Sequence, residues 1–294
     1  MQDKKLPKRY YYDSRLSPVP IGFNNTGVIC WFNSLLQALI SCTSLTSNII
    51  ASSTTDDDAA PKFMSLYAHI VRSNVNNADI SGMSARLLSA LVRYLHSNSL
   101  QSNSLLGNSQ ECAYEGFTQF LDAVGEPAES FHMEHEACII CPECNSTSVR
   151  RDKSYALLVN DLFETAEEVS ASVHKFSNKL LDYKCENCGK VSNTVRTYTL
   201  KQLRNCIVLF YNQFYAKTMK WFPPVLSFPG LPRDTRMNYK LMAQIEHVGG
   251  MNGGHYYAYV NRSDDWYCVN DSSVSKINPG PTLNTFMVFY NIVK

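Results

Sequence analysis

The sequence has almost no charge bias. Its 27 Lys and Arg against 26 Asp and Glu leave a net charge of +1. A chain held to nucleic acid or to an anionic membrane by a global field carries a large basic excess, so any charged partner is met here by a local patch. Long hydrophobic runs are also missing, and no uninterrupted apolar stretch is long enough to span a bilayer. Residues Met1 to Tyr12 are basic and aromatic and lack the apolar centre of a secretory signal. There is no internal repeat. These absences lead to the expectation of a soluble protein inside the cell, in cytoplasm or nucleus, with no membrane and no nucleic-acid partner. Charged residues make up only 18% of the chain and apolar ones 45%. That balance excludes wholesale disorder and allows a sizeable core. At 294 residues, one large domain or two small ones fit.

What the chain does have is ten cysteines. A disulfide framework belongs to short secreted chains, and this is neither. Four of the ten form two pairs, Cys141-Pro-Glu-Cys144 and Cys185-Glu-Asn-Cys188, separated by 40 residues. Each pair is followed by a turn former, Asn145 or Gly189. Four thiolates suit one structural, tetrahedral Zn²⁺ closed against catalysis. Cys138-Ile-Ile-Cys141 is a competing spacing, but Pro142 and Asn145 supply turn chemistry that Ile139-Ile140 does not. His132 and His135 lie close enough in sequence to compete as ligands. A zinc ribbon binding nucleic acid is the rival use of such a site; Arg150, Arg151, Lys153, Lys184 and Lys190 favour it, with acidic residues interspersed.

Apolar residues fall at helical spacing over 31–40, 63–71, 83–95 and 114–124. After Pro127 the periods shorten. Strands are expected at 155–159, 195–200, 205–211, 239–246, 256–260, 266–269 and 286–290. The stretch 215–235, with four prolines, reads as an irregular connection. Helices first and strands afterwards indicate an α+β fold.

Two segments carry chemistry. In the first, a Gly- and Asn-rich loop runs from Gly22 into an amphipathic helix that starts near Cys30. Free N–H groups and the positive dipole end at a helix start favour a thiolate, the reactive form of cysteine. Asn25 is placed to offer its amide to a developing oxyanion. A lone cysteine under an apolar helix is more often simply buried. In the second segment a glycine run, Gly249-Gly-Met-Asn-Gly-Gly, leads to His255 at the start of a strand. A short turn and a second strand return Asn270 and Asp271 beside it. That arrangement suits a base and the group that orients its ring. The remaining histidines lack such a setting.

Around Cys30 the chain resembles the cysteine box of ubiquitin-specific proteases, Gly-Leu-x-Asn-x-Gly-Asn-Thr-Cys-Tyr-x-Asn-Ser-x-Leu-Gln, at Gly22, Asn25, Gly27, Cys30, Asn33, Ser34, Leu36 and Gln37. The second segment is similar to that family's histidine box at Gly254, His255, Tyr256, Tyr259, Val260, Trp266, Asn270, Asp271 and Val274. Looser likenesses cover Ser109 to Phe117, Leu203 to Phe214 and Phe286 to Tyr290. The order of the boxes is the family's, and the resemblance spans about residues 20–292. Val28-Ile29 stand where Asn-Thr is usual, Cys112 for Asp, Gly116 for Phe, Arg204 for Pro and Gln213 for Arg.

The resemblance implies a papain-like α+β cysteine protease with a helical thumb, a β palm and zinc-bearing β fingers. After an arm at 1–20, the expected divisions are 21–130 for the thumb, 131–200 mainly fingers with part of the palm, and 201–294 mainly palm. The implied reaction is hydrolysis of the bond after the C-terminal Gly-Gly of ubiquitin. Cys30 is then the nucleophile, His255 the base, Asn270 its orienter, Asn25 the oxyanion donor, and Asp271 the residue behind them that holds a water near the oxyanion. Gln110, Glu115, Gly253, Gly254 and Tyr256 are expected to meet the substrate. Glu115 either pairs with an arginine of the ubiquitin tail or is a solvated helix residue. Implied partners are ubiquitin, ubiquitin chains and ubiquitinated proteins. A ubiquitin-binding module with impaired catalysis is the alternative.

Overall fold

A computed structural model of the chain describes residues 16–53, 61–75, 78–100, 111–159, 163–211, 222–228, 237–250 and 253–293. Among these, the helices are α1 (Cys30–Ser41), α2 (Thr43–Ser52), α3 (Lys62–Val75), α4 (Met83–Ser97), α5 (Ala113–Val124) and α6 (Ala166–His174). The strands are β1 (Met133–Ile140), β2 (Thr147–Ser154), β3 (Leu157–Leu158), β4 (Lys175–Lys184), β5 (Val191–Gln202), β6 (Cys206–Phe210), β7 (Val225–Phe228), β8 (Met237–Gly250), β9 (Gly253–Arg262), β10 (Asp265–Asn270), β11 (Ser273–Ile277) and β12 (Thr285–Val293).

Two compact units emerge. One takes in the described part of Met1–Ala128 together with Ile245–Pro279, the other that of Glu129–Gln244 with Gly280–Lys294. Residues 245–279, expected with the strands of 201–294, thus cluster with the helices. The cause is α1, which packs along β9. No single helix among the described residues is long and apolar enough to cross a membrane.

In the first unit α1 is the central element. All twelve of its residues are buried, including Asn33, Ser34, Gln37 and Ser41. A helix buried on every side belongs in a core, and its polar stripe of Asn33, Ser34, Gln37 and Ser41 must find hydrogen-bond partners there. Helices α3 and α4 pack together, with Phe63 ringed by Tyr94 at 5.1 Å and Phe120 at 6.0 Å between centroids. Strand β9 alternates: Tyr256, Ala258 and Val260 are buried while His255, Tyr257 and Tyr259 are half exposed. This is the period of two that one covered face imposes. Strands β9, β10 and β11 form an antiparallel meander.

The second unit holds an antiparallel sheet ordered β2-β1-β5-β4. Its other strands run β12 beside β6, antiparallel, and β6 beside the short parallel β3. Helix α6 opens with a capping box in which Thr165 and Glu168 satisfy each other's amides. The Pro-rich stretch 215–235 is not wholly irregular, because β7 lies in it and pairs with β8.

Candidate active site

Cys30 is the first residue of α1, and Ile29 at the cap makes no side-chain hydrogen bond. Asn25 does the work that a capping side chain would. Its Oδ1 accepts from the amides of Gly27 at 3.1 Å and Ile29 at 3.3 Å. Val28 faces outward, 38% exposed. The Val28-Ile29 departure therefore leaves the loop tied down through Asn25.

The β9–β10 hairpin turns through Ser263 and Asp264 at φ of 50° and 70°, between the paired Arg262 and Asp265. Positive φ at both central positions matches the right-handed twist of the strands. The register sets Val269 opposite Ala258, so Asn270 falls on the diagonal from His255. Asn270 Oδ1 lies 2.6 Å from His255 Nε2. A carbonyl oxygen only accepts, so Nε2 carries the proton and Nδ1 keeps its lone pair.

Asp271 is held at φ 49° in the turn between Asn270 and Ser273. Its Oδ2 is 4.0 Å from His255 Nε2, too far for a hydrogen bond. Both carboxylate oxygens are engaged elsewhere. Asn33 Nδ2 donates to Oδ1 at 2.7 Å and Asn25 Nδ2 to Oδ2 at 3.1 Å. The amide of Phe23 donates to the Asp271 carbonyl at 2.8 Å. A Cβ on Gly22 would stand 2.6 Å from Asp271 O and Ser272 O, so only glycine permits this docking.

Cys30 is 4% exposed. Burial pushes its thiol up. The backbone amide of Tyr256, next to His255 in the chain, acts the other way. The Asp271 carboxylate raises it again, and the amides of Trp31 and Cys30 lower it. The helix start does favour the thiolate, as expected, but burial outweighs it in the resting site.

Tyr256, expected to meet the substrate, is 2% exposed. Its ring lies on His247 with centroids 4.4 Å apart and its hydroxyl meets the Ala113 backbone. What it offers the site is its backbone amide. Gly253, Gly254 and Glu115 are exposed, Glu115 in the first turn of α5. Gln110 lies outside the described residues. Gly116 has a packing reason: a Cβ there would stand 2.3 Å from Trp31 Cζ3. Trp31 fills the room beside the helix.

Two residues take structural parts that the motifs alone do not assign: Asn33, a match in the cysteine box without a stated role, and Arg262. A signal existed for the first. Asn33 stands between Trp31-Phe32 and Leu35-Leu36 in a helix rich in apolar residues, where a polar side chain needs a partner.

In the second unit, Cys141, Cys144, Cys185 and Cys188 bring their sulfurs within 4.8 Å of one another. Cys141 Sγ is 3.9 Å from Cys188 Sγ, and Cys144 Sγ is 3.8 Å from Cys185 Sγ. A tetrahedron with Zn–S of about 2.3 Å has edges of ~3.8 Å, so the spacing fits zinc. The two turns match: Asn145 and Gly189 both adopt left-handed φ, 58° and 69°. Their amides return to Cys141 O and Cys185 O, each at 2.9 Å. Cys138 stays within β1, outside the cluster. His135 is buried with Nε2 3.0 Å from Val173 O, and His132 stacks on Tyr155, so neither competes.

The sequence model of the ubiquitin carboxyl-terminal hydrolase family matches residues 21–290. The ubiquitin carboxyl-terminal hydrolase 25 of Arabidopsis thaliana is 30% identical over 46% of this chain and 23% of its own length. Ubiquitin C-terminal hydrolase 12 of the same plant is 23% identical over 93% of this chain and 27% of its own length. The chain thus spans about a quarter of these two curated relatives. Among solved structures, the SAGA DUB module Ubp8/Sgf11/Sus1/Sgf73 bound to monoubiquitin contains a chain that superposes with a TM-score of 0.72 at 21% identity. The match covers 99% of this chain and 72% of that one. The fold is shared.

Proposed function

Because the chain belongs to the ubiquitin carboxyl-terminal hydrolase family, we propose that it is a deubiquitinating thiol protease. It cleaves the peptide or isopeptide bond after the C-terminal Gly-Gly of ubiquitin, with Cys30 as nucleophile, His255 as base and Asn270 as orienter. The observation that carries the assignment is the 2.6 Å bond from His255 Nε2 to Asn270 Oδ1. It leaves Nδ1 as the nitrogen able to take a proton from the thiol.

In the forward step the Cys30 proton passes to His255 Nδ1 while sulfur attacks the carbonyl carbon. The oxyanion is met by the Cys30 backbone amide and by the second amide proton of Asn25, whose first is on Asp271. Collapse breaks the C–N bond, and the imidazolium gives its proton to the departing amine. Water, deprotonated by His255, then attacks the thioester and frees the ubiquitin carboxylate and the Cys30 thiol. Exposed Gly253 and Gly254 border the tail's path, and Glu115 pairs with a tail arginine. A solved relative in fold carries monoubiquitin, which supports ubiquitin, its chains and its conjugates as partners. Cys141, Cys144, Cys185 and Cys188 would hold one Zn²⁺, which would cross-link two turns and supply no step of the reaction. None of the ten cysteines pairs in a disulfide, in keeping with a reducing cytoplasm or nucleus.

Incubation with ubiquitin bearing a C-terminal electrophile tests the proposal. A covalent adduct on Cys30 is expected. Binding without an adduct would make the chain a ubiquitin-binding module, and absence of both would return the zinc ribbon as the reading.

A further inference from the structure

We propose that Arg262 is a positioning residue: it fixes how α1 lies along β9 and thereby the placement of Cys30 relative to His255. The inference rests on the thiol-protease reading above.

Arg262 is the last residue of β9 and is 2% exposed. No carboxylate accompanies it among the described residues. Its Nη1 donates to Ser41 Oγ at 2.6 Å and to Asn261 O at 3.0 Å, while Nε and Nη2 have no partner. Burial pulls the guanidinium down to about 10, with the neighbouring Tyr67 and Cys42 acting the other way. A buried cation without a counter-ion is a poor device for stability, and an apolar side chain of similar volume often serves a core better. The location supplies the reason. Ser41 is the final residue of α1, where the helix dipole is negative.

Helix and strand are pinned at both ends. At the start, the Cys30 sulfur lies against the Tyr256 amide. At the far end, Ser41 receives Arg262. The eleven steps from Cys30 to Ser41 span about 17 Å of helix, and the six from Tyr256 to Arg262 about 20 Å of strand, so the two lengths agree to about one residue. The clamp also extends beyond Arg262. Ser41 Oγ donates to Gln37 O at 2.9 Å, and Gln37 Nε2 donates to Ile21 O at 2.7 Å. The next residues, Gly22 and Phe23, are those docked on Asp271. Bonds therefore run from the end of the histidine-bearing strand through the cysteine-bearing helix to the loop that carries Asn25.

The test uses Arg262→Met, Arg262→Lys and Ser41→Ala in the full chain. For each, thermal melting, kcat and KM on a ubiquitin C-terminal fluorogenic substrate, and the pH profile of Cys30 alkylation by iodoacetamide are measured, the last by peptide mass mapping. The Met variant is expected to melt near or above the wild type. Its kcat should fall about 10- to 100-fold with KM unchanged, the size expected of a misplaced catalytic pair. Its Cys30 alkylation should shift to higher pH, and Lys should recover part of both. Ser41→Ala removes the acceptor of Arg262 together with the hydroxyl's own bond to Gln37 O, and should move the same readouts in the same direction, which keeps the test open if the Met variant does not fold. A folded Met variant with wild-type kcat and alkylation profile overturns the proposal, as does a loss of rate that merely tracks the unfolded fraction. If the wild type itself leaves the ubiquitin substrate uncleaved, the functional reading falls, while the alkylation profiles still decide the part played by Arg262.

Discussion

Asn33, one turn into α1, donates its amide to the carboxylate of Asp271 at 2.7 Å, although 238 positions separate them in the chain. The same carboxylate holds Asn25 at 3.1 Å. Asp271 therefore joins the turn after β10 to both sides of the Cys30 helix start. Asn270, its neighbour, reaches His255 instead. Two adjacent polar residues on one turn thus serve two different parts of the site.

Replacement separates them. Asn270→Ala removes the acceptor that fixes the His255 tautomer. General-base catalysis is typically worth ~10²–10⁴-fold, and an appreciable part of it should go, with a displaced pH optimum. Asp271→Ala leaves the ring bonded and loosens Asn25 and Asn33, so the loss of rate should be smaller. Hydrolysis of a ubiquitin C-terminal fluorogenic substrate at several pH values checks the order. A near-wild-type Asn270→Ala beside a crippled Asp271→Ala would reverse the roles.

The pH dependence has a sign. Burial raises the Cys30 thiol above its ordinary range, and Asp271 adds to the rise. Alkylation of Cys30 should therefore accelerate as pH climbs past the usual thiol range, not below it. Asp271→Asn removes the charge and should move the onset to lower pH. The linkage to stability follows the same sign. A raised folded pKa favours the neutral thiol, so its contribution is present below the ordinary thiol pKa and lost as pH rises through the raised one. Against Cys30→Ala, the wild type should lose melting temperature faster on the alkaline side. Parallel melting curves for the two proteins would remove Cys30 as the cause.

Much of the first unit was legible because α1, α3, α4 and α5 carry uninterrupted apolar stripes. Helix α2 was not, since Ser, Thr and Asn dilute its stripe to four buried residues, Leu45, Thr46, Ile49 and Ile50. Strand β1 alternates faithfully, but its inward positions include His135, which is polar, and Ala137, which is small, so the apolar alternation is weak. The Thr165–Glu168 capping box was a local signal for α6 that the apolar pattern overshadowed. In the site, Cys30, His255 and Asn270 stand in motifs readable along the chain. The bonds from Asn25 to Asp271 and from Arg262 to Ser41 bridge 246 and 221 positions. Such pairings leave no periodicity in a single sequence, so only the fold exposes them.

Metal removal should act on the second unit. Structural zinc in isolated fingers contributes about 10–16 kcal/mol of apparent binding energy, so losing one thiolate should unfold the turns around it. Cys185→Ser should lower zinc content from one per chain and lower the melting temperature with it. Cys138→Ser, outside the cluster, should leave both unchanged. Metal-free protein that melts and cleaves like the wild type would remove the structural role.

The contact between Gly116 and Trp31 makes the last prediction. A methyl at position 116 meets Trp31 Cζ3 at 2.3 Å, well inside van der Waals contact. Both residues are buried, Trp31 at 1% exposure, so neither side can yield into solvent. Overpacking of this kind typically costs about 1–3 kcal/mol. Gly116→Ala should therefore lower the melting temperature, although alanine favours a helix over glycine by about 1 kcal/mol. The steric effect wins because the clash is with a ring held in the core, not with the far end of a flexible side chain. Trp31→Tyr, the residue usual at this place in the cysteine box, shortens the ring and should itself cost stability by leaving a void. Combined, the two substitutions should be less damaging than their sum, since each supplies what the other lacks. The double-mutant cycle should give a coupling of about 0.5–3 kcal/mol. Additive losses, or a Gly116→Ala variant more stable than the wild type, would show that Trp31 does not dictate glycine at 116.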